Sequence, residues 1–293
     1  MSNEVKESVV AENTTPEKNN SEILNVFKQE LTSSQIPVYV NSLKREVMFN
    51  EVSVTDQKSL SKTMIQNENR KDIVYDTQCA LINKVCAEDG FSVYRLTEFD
   101  RIRILMEIYS SNYFHDKITY KCPECGCENS YILDFDKILA KFNAFDLQDV
   151  KFTTEDRNRV YSFTLNYPSV RAVSNFYKGY MKNYRNVSKK EQEALDDLGN
   201  IEYINLFIKK VELINKKNPN DHKLADLSIM PYDDVETLLS YFPQNIMFDE
   251  ENGVLKHIAK EFIEKINSVF QYEKCGHCGY ETKEGMGNLI DFF

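Results

Sequence analysis

Two runs of apolar, β-favouring residues in IPVYVNSLKREVMFNEVSV, residues 36–54, flank a polar centre at 41–46 and predict a β-hairpin. The spacing of apolar positions then changes. Thr55 precedes DQKSLSKTMIQN and Asp72 precedes IVYDTQCALINKVC, both with apolar residues at helical spacing, so two helices are expected. In TEFDRIRILMEIYSSNY, opened by Thr97, the residues Phe99, Ile102, Leu105, Ile108 and Tyr109 fall on one stripe and predict an amphipathic helix. YILDF, 131–135, reads as a strand. VKFTTEDRNRVYSFTLNY reads as a second hairpin with its turn among the charged residues 154–159.

From there to residue 267 the pattern reads as helical. Ser188 and Glu191 form a capping box opening SKKEQEALDDL; further helices are expected in IEYINLFIKKVELIN, in PYDDVETLLSYF with Pro231 at an allowed first-turn position, and in VLKHIAKEFIEKINSVF. Residues 1–20 are too polar to offset the cost of ordering and are expected to be disordered. Ser21 caps a short amphipathic segment with Ile23, Leu24, Phe27 and Leu31 on one side, either a tethered partner-binding helix or, preferably, a strap over the core. The expected class is α+β: a polar tail (1–20), an N-terminal region of hairpin and helices (21–115), two cysteine-bearing β pieces (116–136 and 268–293), and a mainly helical insert between them (137–267).

Composition narrows the function classes. A hydrophobic content of 42% with 12% aromatics suffices for a core, and a formal net charge of −10 disfavours a phosphate backbone as partner. No apolar run approaches the roughly 18 residues needed to span a bilayer, and the amino terminus lacks signal- or transit-peptide character. A reducing cytosol is therefore the expected compartment. There, seven cysteines read better as thiols or metal ligands than as disulfides.

Four of those cysteines stand in two C-x-x-C-G turns: Cys122, Cys125 and Gly126, then Cys275, Cys278 and Gly279. The spacing lets two thiolates reach one ion from a tight turn, and the glycine takes the positive φ that closes it. One turn supplies half of a tetrahedral site. The two together predict a closed, structural Zn(Cys)4 centre with one Zn2+ and no position for substrate. Both turns lead on to an apolar Asp-Phe segment, ILDF at 132–135 and LIDFF at 289–293, which suggests the two halves of a zinc ribbon. Closing so long a loop costs roughly 4–5 kcal/mol, whereas a structural zinc site supplies on the order of 10–16 kcal/mol. Cys127 and His277, inside the turns, are the substitutes should one ligand be misassigned. Two unrelated turns, or a thioredoxin-like redox CxxC, are the competing readings; the redox pair needs a helix directly after the cysteines, and neither turn shows that pattern.

Other chemistry-bearing residues read as structural. Cys79 and Cys86 have core spacing; His257 and Glu261 are an i,i+4 pair of a common kind; His115 and His222 lie in polar surroundings; Asp134, Asp136, Asp146 and Asp149 follow no partner pattern. No phosphate-cradling, nucleophile-elbow or zinc-protease motif occurs, so no catalysis is expected. NFYKGYMKNYRN, 175–186, mixes aromatics with Lys and Arg and would be the place for nucleic acid to stack, although a helix whose lysines cover its aromatics is the preferred reading.

In the order of these segments the chain resembles the baseplate hub and hub-assembly proteins of T-even-type contractile-tailed bacteriophages. The residues that carry the likeness are IPVYVNSLKREVMFNEVSVTDQKSL, the helix LTEFDRIRILMEIYSSN with Asp100 and Arg101, CPECG followed by a strand, the long insert, and the terminal CxxCG closing on DFF. The resemblance covers about residues 36–293. It implies a non-enzymatic role in tail assembly, with other hub proteins or the end of the tape-measure protein as partners and the virion baseplate or the host cytoplasm as location. A zinc-ribbon nucleic-acid-binding regulator is the alternative; a metalloenzyme using His257 or an exposed thiol is a weaker third.

Overall fold

The computed structural model describes residues 35–67, 69–112, 117–132, 134–145, 147–184, 202–269 and 274–281, together with Asn25. The expectations for the polar tail, the 21–31 segment, the Ser188 capping box, His115, Asp146 and the terminal LIDFF lie outside the described residues.

The first hairpin is present as β1 (Gln35–Val40) and β2 (Arg45–Asn50), antiparallel with Val38 opposite Val47. Its inward side chains Val38, Val40, Val47 and Phe49 are fully buried. Helices α1 (Val54–Gln66) and α2 (Lys71–Val85) follow as expected, with different starts. Ser53, not Thr55, caps α1 by accepting from the Asp56 N–H, and Asp72 lies inside the first turn of α2, paired with Arg70. Cys79 is buried in the core, and Cys86, just past the helix, is half-buried against it.

Helix α3 (Glu98–Asn112) differs from the amphipathic expectation. Beyond its apolar stripe, Glu98, Asp100, Arg101 and Arg103 are buried too, because α3 is surrounded by β1, α2 and the helices that follow. Each charge has a partner. Asp100 accepts from the Asn41 and Ser42 N–H groups of the hairpin turn and from the Thr97 hydroxyl, while Arg101 donates to Glu98 and to Gln78. The polar letters that made α3 look one-sided are therefore internal fastenings between elements.

Strands β3 (Lys117–Lys121) and β4 (Glu128–Ile132) form a second hairpin around the first cysteine turn. The strand expected over 131–135 stops early: the Asp134 side chain accepts from the Lys137 N–H and starts helix α4 (Phe135–Asn143), which buries Phe135, Ile138, Leu139 and Phe142.

The largest departure is in the insert, whose described residues carry a four-stranded sheet among the helices. The predicted hairpin β5 (Val150–Glu155) and β6 (Arg159–Leu165) is continued by β7 (Ile208–Asn215) and β8 (Asn218–Asp226) into an antiparallel sheet of order β5-β6-β7-β8. The helix expected over IEYINLFIKKVELIN gives way to strand β7 from Ile208 onward. In the sheet Val211 faces Phe163 and Leu213 faces Tyr161, so both point at the side of the sheet that buries those rings. The described residues of the insert also hold helix α5 (Val170–Tyr184), the expected α6 (Tyr232–Ser240), α7 (Gln244–Phe248) and a last helical stretch. That stretch runs from α8 (Val254–Ile258) through a π-helical turn (Ala259–Ile263) to α9 (Glu264–Val269). Phe262 of the π turn packs on Tyr167 and Phe207, and one apolar cluster joins the hairpin, the helices and the sheet. Among the described residues no helix is long and apolar enough to cross a membrane.

Candidate metal centre

The two CxxCG turns have the same backbone construction. In the first, the Gly126 N–H donates to the Cys122 carbonyl at 2.8 Å and the Cys122 N–H to the Cys127 carbonyl at 2.9 Å; in the second, Gly279 donates to Cys275 at 2.9 Å and Cys275 to Tyr280 at 2.8 Å. Gly126 has φ +69° and Gly279 φ +73°, the left-handed conformation that an L side chain disfavours. Two local sequences that share C-x-x-C-G thus make two turns of the same construction, each with its pair of thiols on one side.

The fold brings the turns face to face. The sulfurs of Cys122 and Cys278 are 3.6 Å apart, as are those of Cys125 and Cys275, and all four lie within 4.8 Å of one another. A tetrahedron of Zn–S bonds near 2.3 Å has S···S edges of roughly 3.8 Å, so the donor set and its size suit a four-coordinate thiophilic ion. Cys122 and Cys275 are buried and Cys125 and Cys278 exposed, which puts the cluster at the protein surface. Among the described residues Cys127 and His277 are not part of it.

The thiols of the cluster differ in what surrounds each of them. The N–H groups of Cys278 and His277 aim at the Cys275 sulfur and bring its thiol down to about 6. At Cys125 the Cys127 N–H acts the same way, but burial and the neighbouring sulfurs outweigh it and the thiol is raised; Cys278 is raised as well, against the Tyr280 N–H, by burial and by Cys122 and Cys275. The backbone thus favours a thiolate at Cys275, while burial and the neighbouring sulfurs disfavour one at Cys125 and Cys278. All four positions are taken by sulfur, so a bound ion has no room for substrate or activated water.

The first turn sits between paired strands β3 and β4, which also separates it from a redox CxxC at a helix start; beside the second, Lys274 bridges to Glu281. Across the seam reaches Asn129 of β4, which sequence reading missed because a polar residue in a short strand carries no motif. It donates to the Cys275 sulfur at 3.4 Å and accepts from the Gly276 N–H at 3.0 Å.

The remaining candidates stay apart from this centre. His257 lies on α8, stacked on Phe152 at 3.9 Å, and Glu261 pairs with Lys265. His222 is exposed on β8 beside Glu212. Asp134 caps α4, Asp136 is exposed in the first turn of that helix, and Asp149 pairs with Lys209. In the Lys/Tyr run of α5, Phe176 is buried and packs with Tyr177 against Tyr203. No family model, curated protein or solved structure matches the chain.

Proposed function

We propose that the chain is a non-enzymatic subunit or assembly factor of the baseplate hub of a contractile-tailed bacteriophage, braced by one structural Zn2+. The observation that carries the metal part is the cluster of Cys122, Cys125, Cys275 and Cys278, whose sulfurs lie within 4.8 Å of one another. In this reading the two CxxCG turns are the halves of one zinc ribbon, and the ion ties the end of the insert to its beginning. Its role is mechanical, since four thiolates saturate it.

The phage part rests on the resemblance in segment order, supported by the excess of acids over bases, 46 against 36, which favours protein partners over nucleic acid. Its partners are other hub proteins and the end of the tape-measure protein, met in the host cytoplasm during assembly or in the finished baseplate. Affinity capture of the tagged chain from infected cells, followed by mass spectrometry, tests this. Tail proteins captured stoichiometrically are the expected result, and a chain isolated without any tail protein contradicts it. The nucleic-acid alternative draws no support from α5, where Phe176 and Tyr177 pack inward.

A further inference from the structure

We infer that Asn129 is a positioning residue of the metal centre: its side-chain amide seats the second cysteine turn on the first and holds Cys275 where the ion requires it. The inference rests on the zinc reading above and adds a residue outside the four sulfurs.

The amide makes three hydrogen bonds. Its Nδ2 donates to the Cys127 carbonyl at 3.0 Å, which ties it to the exit of its own turn, and to the Cys275 sulfur at 3.4 Å; its Oδ1 accepts from the Gly276 N–H at 3.0 Å. Only one orientation of the amide satisfies all three contacts, because the carbonyl and sulfur need a donor and the N–H needs an acceptor. Two of the three reach a partner more than 140 positions away, at sequence separations of 146 and 147. They grip one dipeptide step, Cys275–Gly276, from its side chain and its backbone at once.

Strands β3 and β4 hold the first turn, and Asn129 of β4 carries that support across to the second. Groups that orient metal ligands typically change affinity 10–100-fold when removed. Asn129 also offers a neutral donor to a sulfur, which spreads thiolate charge without competing for the ion.

The experiment compares zinc release from the full chain into a chromophoric chelator for wild type, Asn129→Ala, Asn129→Asp and the exposed control Asn143→Ala, with far-ultraviolet circular dichroism on each. Asn129→Asp keeps the shape and the acceptor for Gly276 but turns the sulfur-facing donor into an anion. The expected result is release accelerated 10–100-fold in Asn129→Ala, more in Asn129→Asp, and unchanged in Asn143→Ala. Asn129→Ser, which keeps a small donor and acceptor, serves if either variant loses its fold, with intermediate release expected. The Co2+-substituted proteins add a second readout: Asn129→Asp shifts the sulfur-to-metal charge-transfer band, and a residue with a merely structural role leaves it in place. Wild-type rates and bands in the Asn129 variants, with one ion per wild-type chain, overturn this inference alone. A wild-type chain that holds no metal overturns the zinc reading and this inference with it.

Discussion

Cys125 and Cys275 are 150 positions apart in sequence, and their sulfurs are 3.6 Å apart. Nothing local brings them together: the sheet, α5 and the last helical stretch lie between them. A metal bound there closes a loop that the fold has already closed, so its effect is to prevent the two turns from parting. Replacing Cys275 by Ser is expected to leave a chain that still contains its helices and sheet but retains less than one ion and melts at a lower temperature. Calorimetry with and without chelator checks this; equal melting curves for wild type and Cys275→Ser would contradict it.

The glycines that close the turns give a second expectation. Gly126 and Gly279 hold φ near +70°, which costs an L residue about 1–2 kcal/mol. Gly126→Ala is expected to lower stability by about that amount, and Gly126→Asn by less, since Asn tolerates the left-handed region. Urea unfolding of the zinc-loaded variants decides it.

The buried pair on α3 gives a third. Arg101 and Glu98 are 4% and 7% exposed at their side chains, and Glu98 also accepts from the Tyr75 hydroxyl. Arg101→Leu leaves a buried carboxylate without its cation, expected to cost about 3–5 kcal/mol, whereas replacing Glu98 and Arg101 together by apolar residues is expected to cost much less. A double-mutant cycle in urea measures the difference.

His257 gives an expectation in pH. Burial on Phe152 outweighs the nearby Glu261 carboxylate and holds the imidazole below its ordinary 6.5. With the folded value depressed, the unfolded chain takes up the proton first, so this contribution to stability is present above pH 6.5 and is lost as pH falls through and below that value. Stability of His257→Phe should therefore fall less than that of wild type between pH 7.5 and 5.5. A parallel fall in both proteins would count against it.

Legibility in the sequence followed the strength of local signals. The hairpin β1–β2 is readable because two β-favouring runs flank a polar centre, and Val38, Val40, Val47 and Phe49 of those runs are the buried ones. The cysteine turns were readable because spacing and glycine together specify a conformation. Strands β7 and β8 were not. The half-buried positions of Ile208–Asn215 mimic helical spacing, and Asn218–Asp226 is a mostly exposed edge strand held by backbone pairing to β7, with Pro219, Asp221 and Lys223 of the kind that guards an edge. Asp100 and Arg101 were noticed as a pair but not as interior residues, because burial of charge depends on partners 23 and 59 positions away. Asn129 was invisible for the same reason.

The most direct test of the metal centre is elemental analysis of the purified full chain combined with X-ray absorption at the zinc edge. One zinc per chain with four sulfur neighbours near 2.3 Å is the predicted result. A chain purified without chelator that holds no tightly bound metal, or an ion with nitrogen or oxygen in its first coordination sphere, would contradict it.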